Sequence, residues 1–261
     1  MKKVFTYLTV AVWSAMMVMG ADEAPNEPIM PLAKSTAAFT AEASALEVLQ
    51  ACRGMLPVRP VEVKGALILR NRRGIVQSEH DYRLLMRRGA EVSQLKVQLF
   101  PRGSTDEIAM VTVARKAHSA AVIRMARAGA TETEVVANAL ERVLETDVTW
   151  LDITFDFLWW NDAVYETERE GESVHGQKCR VIFVKPEVKI EGLKGVRLWV
   201  DRKTGCLMQA EQVGADGKPI RRLWGTRIKK FDGKWMVSVL EVETLGSKHR
   251  TKITVEDIRE L

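Results

Sequence analysis

Turn-forming dipeptides constrain this chain more than any other feature. Glu170-Gly171, Thr204-Gly205, Asp216-Gly217 and Asp232-Gly233 interrupt its C-terminal half. The Asp-Gly pairs are hairpin signals, because both central positions tolerate positive φ. Between and beyond these turns, residues 180–185, 196–201, 207–213, 220–231, 234–244 and 251–258 read as strands. Sequential strands joined by short turns pair antiparallel. Upstream the same period appears: Val61, Val63, Leu67 and Leu69 alternate with Glu62, Lys64 and Arg70. A turn over 71–74 leads to strands at 75–86 and 92–100, separated by Arg87-Arg88-Gly89, and to another at 108–113. About ten strands with a few helices make a mainly β, α+β chain whose sheet curves strongly into a partial barrel, since a flat sheet that wide would leave long exposed edges. No βαβ alternation occurs, which argues against nucleotide-binding α/β folds.

Two helices interrupt this pattern. Residues 40–52 are rich in Ala, Leu and Glu, with Leu46, Leu49 and Cys52 at helical spacing and Gly54 and Pro57 as the stop. Thr131 and Glu134 have capping-box spacing, and Val136, Ala139, Leu140, Val143 and Leu144 form one apolar stripe, predicting a helix over 133–145.

The N-terminus has the three-part grammar of a secretory leader: Lys2-Lys3, an uncharged run from Val4 to Met19, then Gly20-Ala21. The expected organisation is a signal peptide over 1–21, a Pro-bearing extended tether over 22–36 and one domain over 37–261. Losing Lys2 and Lys3 takes two from a net charge of +5, which argues against a nucleic-acid partner. Export permits a disulfide, and Cys179 with Cys206 is the expected pair, leaving Cys52 on a helix.

Catalytic signatures are few. His80, His118, His175 and His249 are scattered and have no second ligand at metal spacing. The segment 148–160 (VTWLDITFDFLWW) reads as a strand that puts Asp152, Thr154 and Asp156 on one face. Its two carboxylates fit a capping or hydrated role better than acid–base work. Basic clusters at Arg70-Arg72-Arg73, Arg87-Arg88, Arg221-Arg222 and Arg227-Lys229-Lys230 suit solvated strand ends or, alternatively, anionic lipid headgroups. Trp150, Phe155, Phe157, Trp159 and Trp160 crowd into eleven residues, more aromatic surface than one strand of a core needs. On a curved sheet whose hollow is only partly covered, such side chains line an apolar trough.

In order, Trp150-x-Asp152-Ile153-x-x-Asp156-Phe157-Leu158-Trp159-Trp160, then 176–182 (GQKCRVI), Val196-x-Leu198-Trp199-Val200-Asp201 and Asp232-Gly233-x-Trp235-Met236 resemble the outer-membrane lipoprotein-sorting family of the LolA/LolB-like superfamily. The Arg-Pro-x-x-Phe-Arg-Trp strand motif of its best-known carriers is not found; Arg83 alone stands at a comparable place. The resemblance implies an incomplete antiparallel β-barrel lidded by helices over an apolar cavity. It also implies a periplasmic, non-enzymatic, monomeric carrier with no cofactor or metal, binding a lipid or an acylated lipoprotein and meeting a membrane-anchored donor or acceptor. Strand alternation then nominates the cavity face: Leu84 and Met86; Leu95, Val97 and Leu99; Phe155 and Phe157; Val196, Leu198 and Val200. Trp150, Trp159 and Trp160 join them, and Val136, Leu140 and Leu144 would be the lid. The alternative use of such a fold is a periplasmic sensor that binds a membrane-anchored partner.

Overall fold

The computed structural model describes residues 42–261 except 58, 89–91, 117–120, 131, 137 and 232–233. The expected leader and tether, Gly89 and the Asp232-Gly233 turn lie outside the described residues. Among these residues no helix is long and apolar enough to cross a membrane.

The first element among the described residues is helix α1 (Ala45–Gly54). The Ser44 hydroxyl accepts from the Glu47 N–H and the Glu47 carboxylate accepts from the Ser44 N–H at 2.7 Å, so two otherwise orphaned donors are satisfied at the helix start. Ala45, Val48, Leu49 and Cys52 are buried, a stripe at helical spacing that seats α1 on the core.

Strands β1 (Val61–Asn71), β2 (Val76–Arg88), β3 (Val92–Pro101), β4 (Ala109–Lys116), β5 (Val122–Arg127) and the two-residue β6 (Glu134–Val135) form one wing of a single antiparallel sheet. The other wing holds β7 (Asp162–Tyr165), β8 (Ser173–Val174), β9 (Gln177–Lys185), β10 (Leu193–Asp201), β11 (Leu207–Gly214), β12 (Pro219–Phe231), β13 (Lys234–Thr244) and β14 (His249–Glu260). The wings join where β1 pairs β14, giving the order β6-β5-β4-β3-β2-β1-β14-β13-β12-β11-β10-β9-β7, with β8 on β9. The terminal strands β6 and β7 do not meet, so the sheet stays open. Every expected strand outside 148–160 is present, most of them a residue or more longer than expected.

Close approach requires a glycine at position 65. Gly65 stands between Tyr82 and Val255 in register, and a Cβ there would lie 1.8 Å from the Thr254 carbonyl oxygen and 2.8 Å from the Tyr82 hydroxyl. Its bare backbone lets Tyr82 cross the strand and donate to Thr254 O at 2.9 Å.

Two expected elements exchange character. Residues 133–145 are not a helix. Glu134 and Val135 pair with β5, the Asn138 side chain accepts the Leu140 N–H at 2.9 Å, and Leu144 takes a left-handed φ of 54°. The β-branched Val135, Val136 and Val143 weaken helix propensity, and an asparagine that offers the backbone its own oxygen wins locally. The segment 148–160 is not a strand. It forms α2 (Trp150–Thr154) and a 3-10 turn (Asp156–Trp159), hinged at Phe155, whose φ is 51°. Thr149 is the extended residue before α2, and the Asp152 carboxylate accepts both its N–H and its hydroxyl at 2.8 Å.

The expected Cys179–Cys206 disulfide is not formed; Cys52, Cys179 and Cys206 are all buried thiols. Cys179 on β9 lies opposite Asp201 on β10, whose N–H in turn donates to the Cys206 carbonyl. A whole strand therefore stands between the two cysteines. Two inter-strand spacings come to about 9–10 Å, beyond the reach of a disulfide. Burial pushes the Cys179 thiol up to about 11, and Cys52 is pushed up further by burial while its Sγ donates to Gly205 O at 3.0 Å.

Candidate functional site

The inner face of the sheet is where alternate residues of β1, β2, β3, β13 and β14 converge. Paired rungs run across it: Val97–Leu84–Val63, Leu99–Tyr82–Gly65–Val255, and Leu67–Ile253–Leu240. These side chains floor a hollow of about 60 Å³ whose roof is Asp152, Ile153 and Phe155 of the α2 segment. Ile153 and Phe155 are only half-buried. The roof is thus the aromatic-rich segment itself, while Val136, Leu140 and Leu144 pack against the core edge as an irregular loop.

The two polar residues of this hollow are already committed. Tyr82 spends its hydroxyl proton on Thr254 O, and burial pushes its pKa up. Asp152 accepts from Thr149 and from Gln212 Nε2 at 2.8 Å on β11. Burial raises the Asp152 pKa against the opposing pull of Arg221 and these donors. Arg221 itself is buried among Asp152 and Asp147, and burial depresses its pKa. Asp147 completes the anchor: its carboxylate meets His249 Nδ1 at 2.9 Å and its N–H donates to Thr251 Oγ1 at 2.8 Å. A buried polar cluster therefore ties the roof to the sheet, and the hollow beneath offers only hydrocarbon contact. Arg222 points the other way and pairs with Glu211 at 2.9 Å, so Arg221 and Arg222 do not form the joint surface patch their adjacency suggests.

A second hollow of about 40 Å³ lies one rung further along β2 and β3, where Met86 pairs with Leu95. Leu56, Val113 and Trp159 complete its apolar wall, Ser93, Gln94 and Thr154 add neutral polar groups, and Arg87, Arg88 and Arg115 supply the charge. Arg115 is buried, lies 4.3 Å over the Trp159 ring and pairs with Asp156. Asp156 also accepts from Trp160 Nε1 at 3.2 Å. The two carboxylates of the segment are thus a helix-start acceptor and an ion-pair partner.

The nominated residues divide three ways. Leu84, Val97, Leu99 and Phe155 line the first hollow, and Met86, Leu95 and Trp159 the second. Trp150, Phe157 and Trp160 are buried in the core, as are Val196, Leu198 and Val200, which line neither hollow. Val63, Leu67, Leu240, Ile253 and Val255 also line the first hollow, beyond the residues expected there, and each lies on the alternating apolar side of its strand.

A family profile described as an uncharacterized protein matches residues 131–260. No curated protein sequence matches. Among solved structures, a DUF1329 family protein from Desulfovibrio piger superposes with a TM-score of 0.69 at 15% identity, covering 83% of this chain and 91% of that one. A domain assigned to outer membrane lipoprotein sorting from Vibrio parahaemolyticus gives 0.70 at 15% identity, covering 83% and 92%. A LolA superfamily protein from Nitrosomonas europaea gives 0.64 at 16% identity, covering 84% and 95%. The chain therefore has the LolA-like fold; among the described residues it is an antiparallel sheet of fourteen strands that does not close into a barrel.

Proposed function

We propose that this protein is an exported, periplasmic carrier whose inner face takes up the hydrocarbon of a lipid or the acyl chains of a lipoprotein, passing it between membrane-anchored partners. The observation that carries this reading is the first hollow, an apolar floor under a short, separately anchored roof whose two polar side chains, Tyr82 and Asp152, are already hydrogen-bonded within the protein. The leader-like run over residues 1–21 supports export. The likeness in fold to lipoprotein-sorting domains supports this class of cargo.

Size decides the mechanism. A void of about 60 Å³ is under half of the roughly 150 Å³ cavity that admits benzene. A hydrocarbon tail must therefore displace Ile153 and Phe155. A dozen methylenes leaving water would gain about 10 kcal/mol at about 0.8 kcal/mol each. Uncovering two large side chains would cost about 3–6 kcal/mol. The remaining about 4–7 kcal/mol corresponds to a dissociation constant between about 1 mM and about 10 μM. A carrier in that range releases its cargo readily.

The test is a titration of the delipidated full chain with a fluorescent fatty acid. Saturable uptake in the micromolar-to-millimolar range is expected. The reading falls if there is no saturable uptake.

A further inference from the structure

Among the described residues, the second hollow gathers more positive charge than its ion pairs use. Arg87 and Arg88 at the end of β2 and Arg115 in β4 line it, and Arg53 at the end of α1 stands close enough for its charge to act on Arg88 and Arg115. Among the described residues only Arg115 of the four is ion-paired, with Asp156, and Glu187 acts on it from further away. Arg88 donates to the carbonyls of Arg53 and Leu56 at 3.3 and 3.4 Å, which holds it beside the last turn of α1. Burial depresses the Arg88 and Arg115 pKa values, and the Arg53 charge depresses both further. These cations repel one another across a small hollow whose walls are Leu56, Met86, Leu95, Val113 and Trp159. An apolar wall with a cationic rim is complementary to a compact anion attached to hydrocarbon.

The two hollows are consecutive. Leu84 and Val97 line the first, Met86 and Leu95 the second, and each pair lies two residues from the other on the same strands. From Tyr82 to Arg88 the run is about 20 Å at about 3.3 Å per residue. One leaflet of a bilayer core is about 15 Å deep, so once Ile153 and Phe155 are displaced this track has the length for a tail that ends at the arginines.

We infer that the arginine-rimmed hollow is a headgroup subsite, and that the preferred cargo is a single-chain amphiphile with a compact anionic head, a carboxylate or a phosphate monoester, its tail lying in the hollow beneath α2. This rests on the carrier reading and adds a charge requirement that the carrier reading alone does not make.

The experiment compares myristate, monomyristoylglycerol and a myristyl trimethylammonium salt as competitors of a fluorescent fatty acid on the full chain above neutral pH, with inorganic phosphate as a tail-free arm. Myristate is expected to bind at least about tenfold more tightly than the glyceride, about 1.4 kcal/mol, with the preference shrinking in high salt. In the double variant Arg53→Gln, Arg87→Gln, which spares Arg88 at the α1 carbonyls and Arg115 at Asp156, the preference should fall to within about threefold while glyceride affinity and melting temperature hold. Equal binding of all three heads, or preference for the cationic one, overturns the inference and leaves the carrier reading standing. Displacement of myristate by equimolar phosphate also overturns it, because the arginines would then form a site for small anions. If no amphiphile binds, the carrier reading fails first and the inference with it.

Discussion

Ile253 is the position at which cargo space and stability can be separated. It sits at the centre of the Leu67–Ile253–Leu240 rung, half-buried, with its side chain against the first hollow. Replacing it with tryptophan puts an indole into the void and suits a β-strand. At about 24 cal/mol per Å³, filling a void of about 60 Å³ is worth up to about 1.4 kcal/mol. For a domain of this size each kcal/mol moves the melting temperature by about 2–4 °C. Ile253→Trp should therefore melt up to about 3–6 °C higher than the parent, and no lower, while losing saturable fatty-acid uptake. Thermal unfolding by circular dichroism and a fluorescence titration on the same samples read the two effects independently. Uptake at parental affinity would show that the tail does not lie over this rung. A melting temperature several degrees below the parent would show that the void is not available space, since overpacking costs about 1–3 kcal/mol.

Gly65→Ala should destabilise the protein by on the order of 3 kcal/mol, because the new methyl meets the Thr254 carbonyl; a denaturant midpoint equal to the parent's refutes that contact. Burial raises the Asp152 pKa, so the folded chain holds a proton that the unfolded chain has released. That contribution is fully present below the unfolded value and is lost as pH rises through the folded one. Denaturant midpoints measured from acid to neutral pH should therefore fall less steeply with rising pH in Asp152→Asn than in the parent, and parallel curves would refute the assignment. Unfolding without reductant should expose all three thiols to a thiol reagent; a count of one would mean that a disulfide forms after all.

The strands were legible because period-two alternation and Gly-bearing turns act over a few residues. Asn71 shows this, accepting the N–H groups of Arg73 and Ile75 with its side chain in the 71–74 turn. The segment 148–160 was not legible in the same way. Asp152, Thr154 and Asp156 alternate with apolar residues as in a strand, yet Leu151, Phe155 and Leu158 also recur at helical spacing, and only contact with the sheet decides between the two. The stripe over 133–145 failed for the opposite reason: its spacing was helical, but Asn138 and the β-branched residues favoured a turn. Alternation identified which side of each strand is apolar. It does not say which stretch of that side borders a void, so it cannot separate Leu198, packed over, from Leu84, which lines the first hollow. The arginine rim combines α1, β2 and β4, and no local pattern joins elements so far apart in sequence.

An unclosed sheet leaves an outer strand able to recruit foreign chains, and β6 blunts that hazard by its brevity. Beyond β5, with Val122 and Val135 exposed, the ladder continues for only two residues and one of them is Glu134. An incoming strand would find almost no backbone to template on and an acidic side chain beside it. Lengthening β6 or neutralising Glu134 would therefore favour edge-to-edge aggregation without touching either hollow.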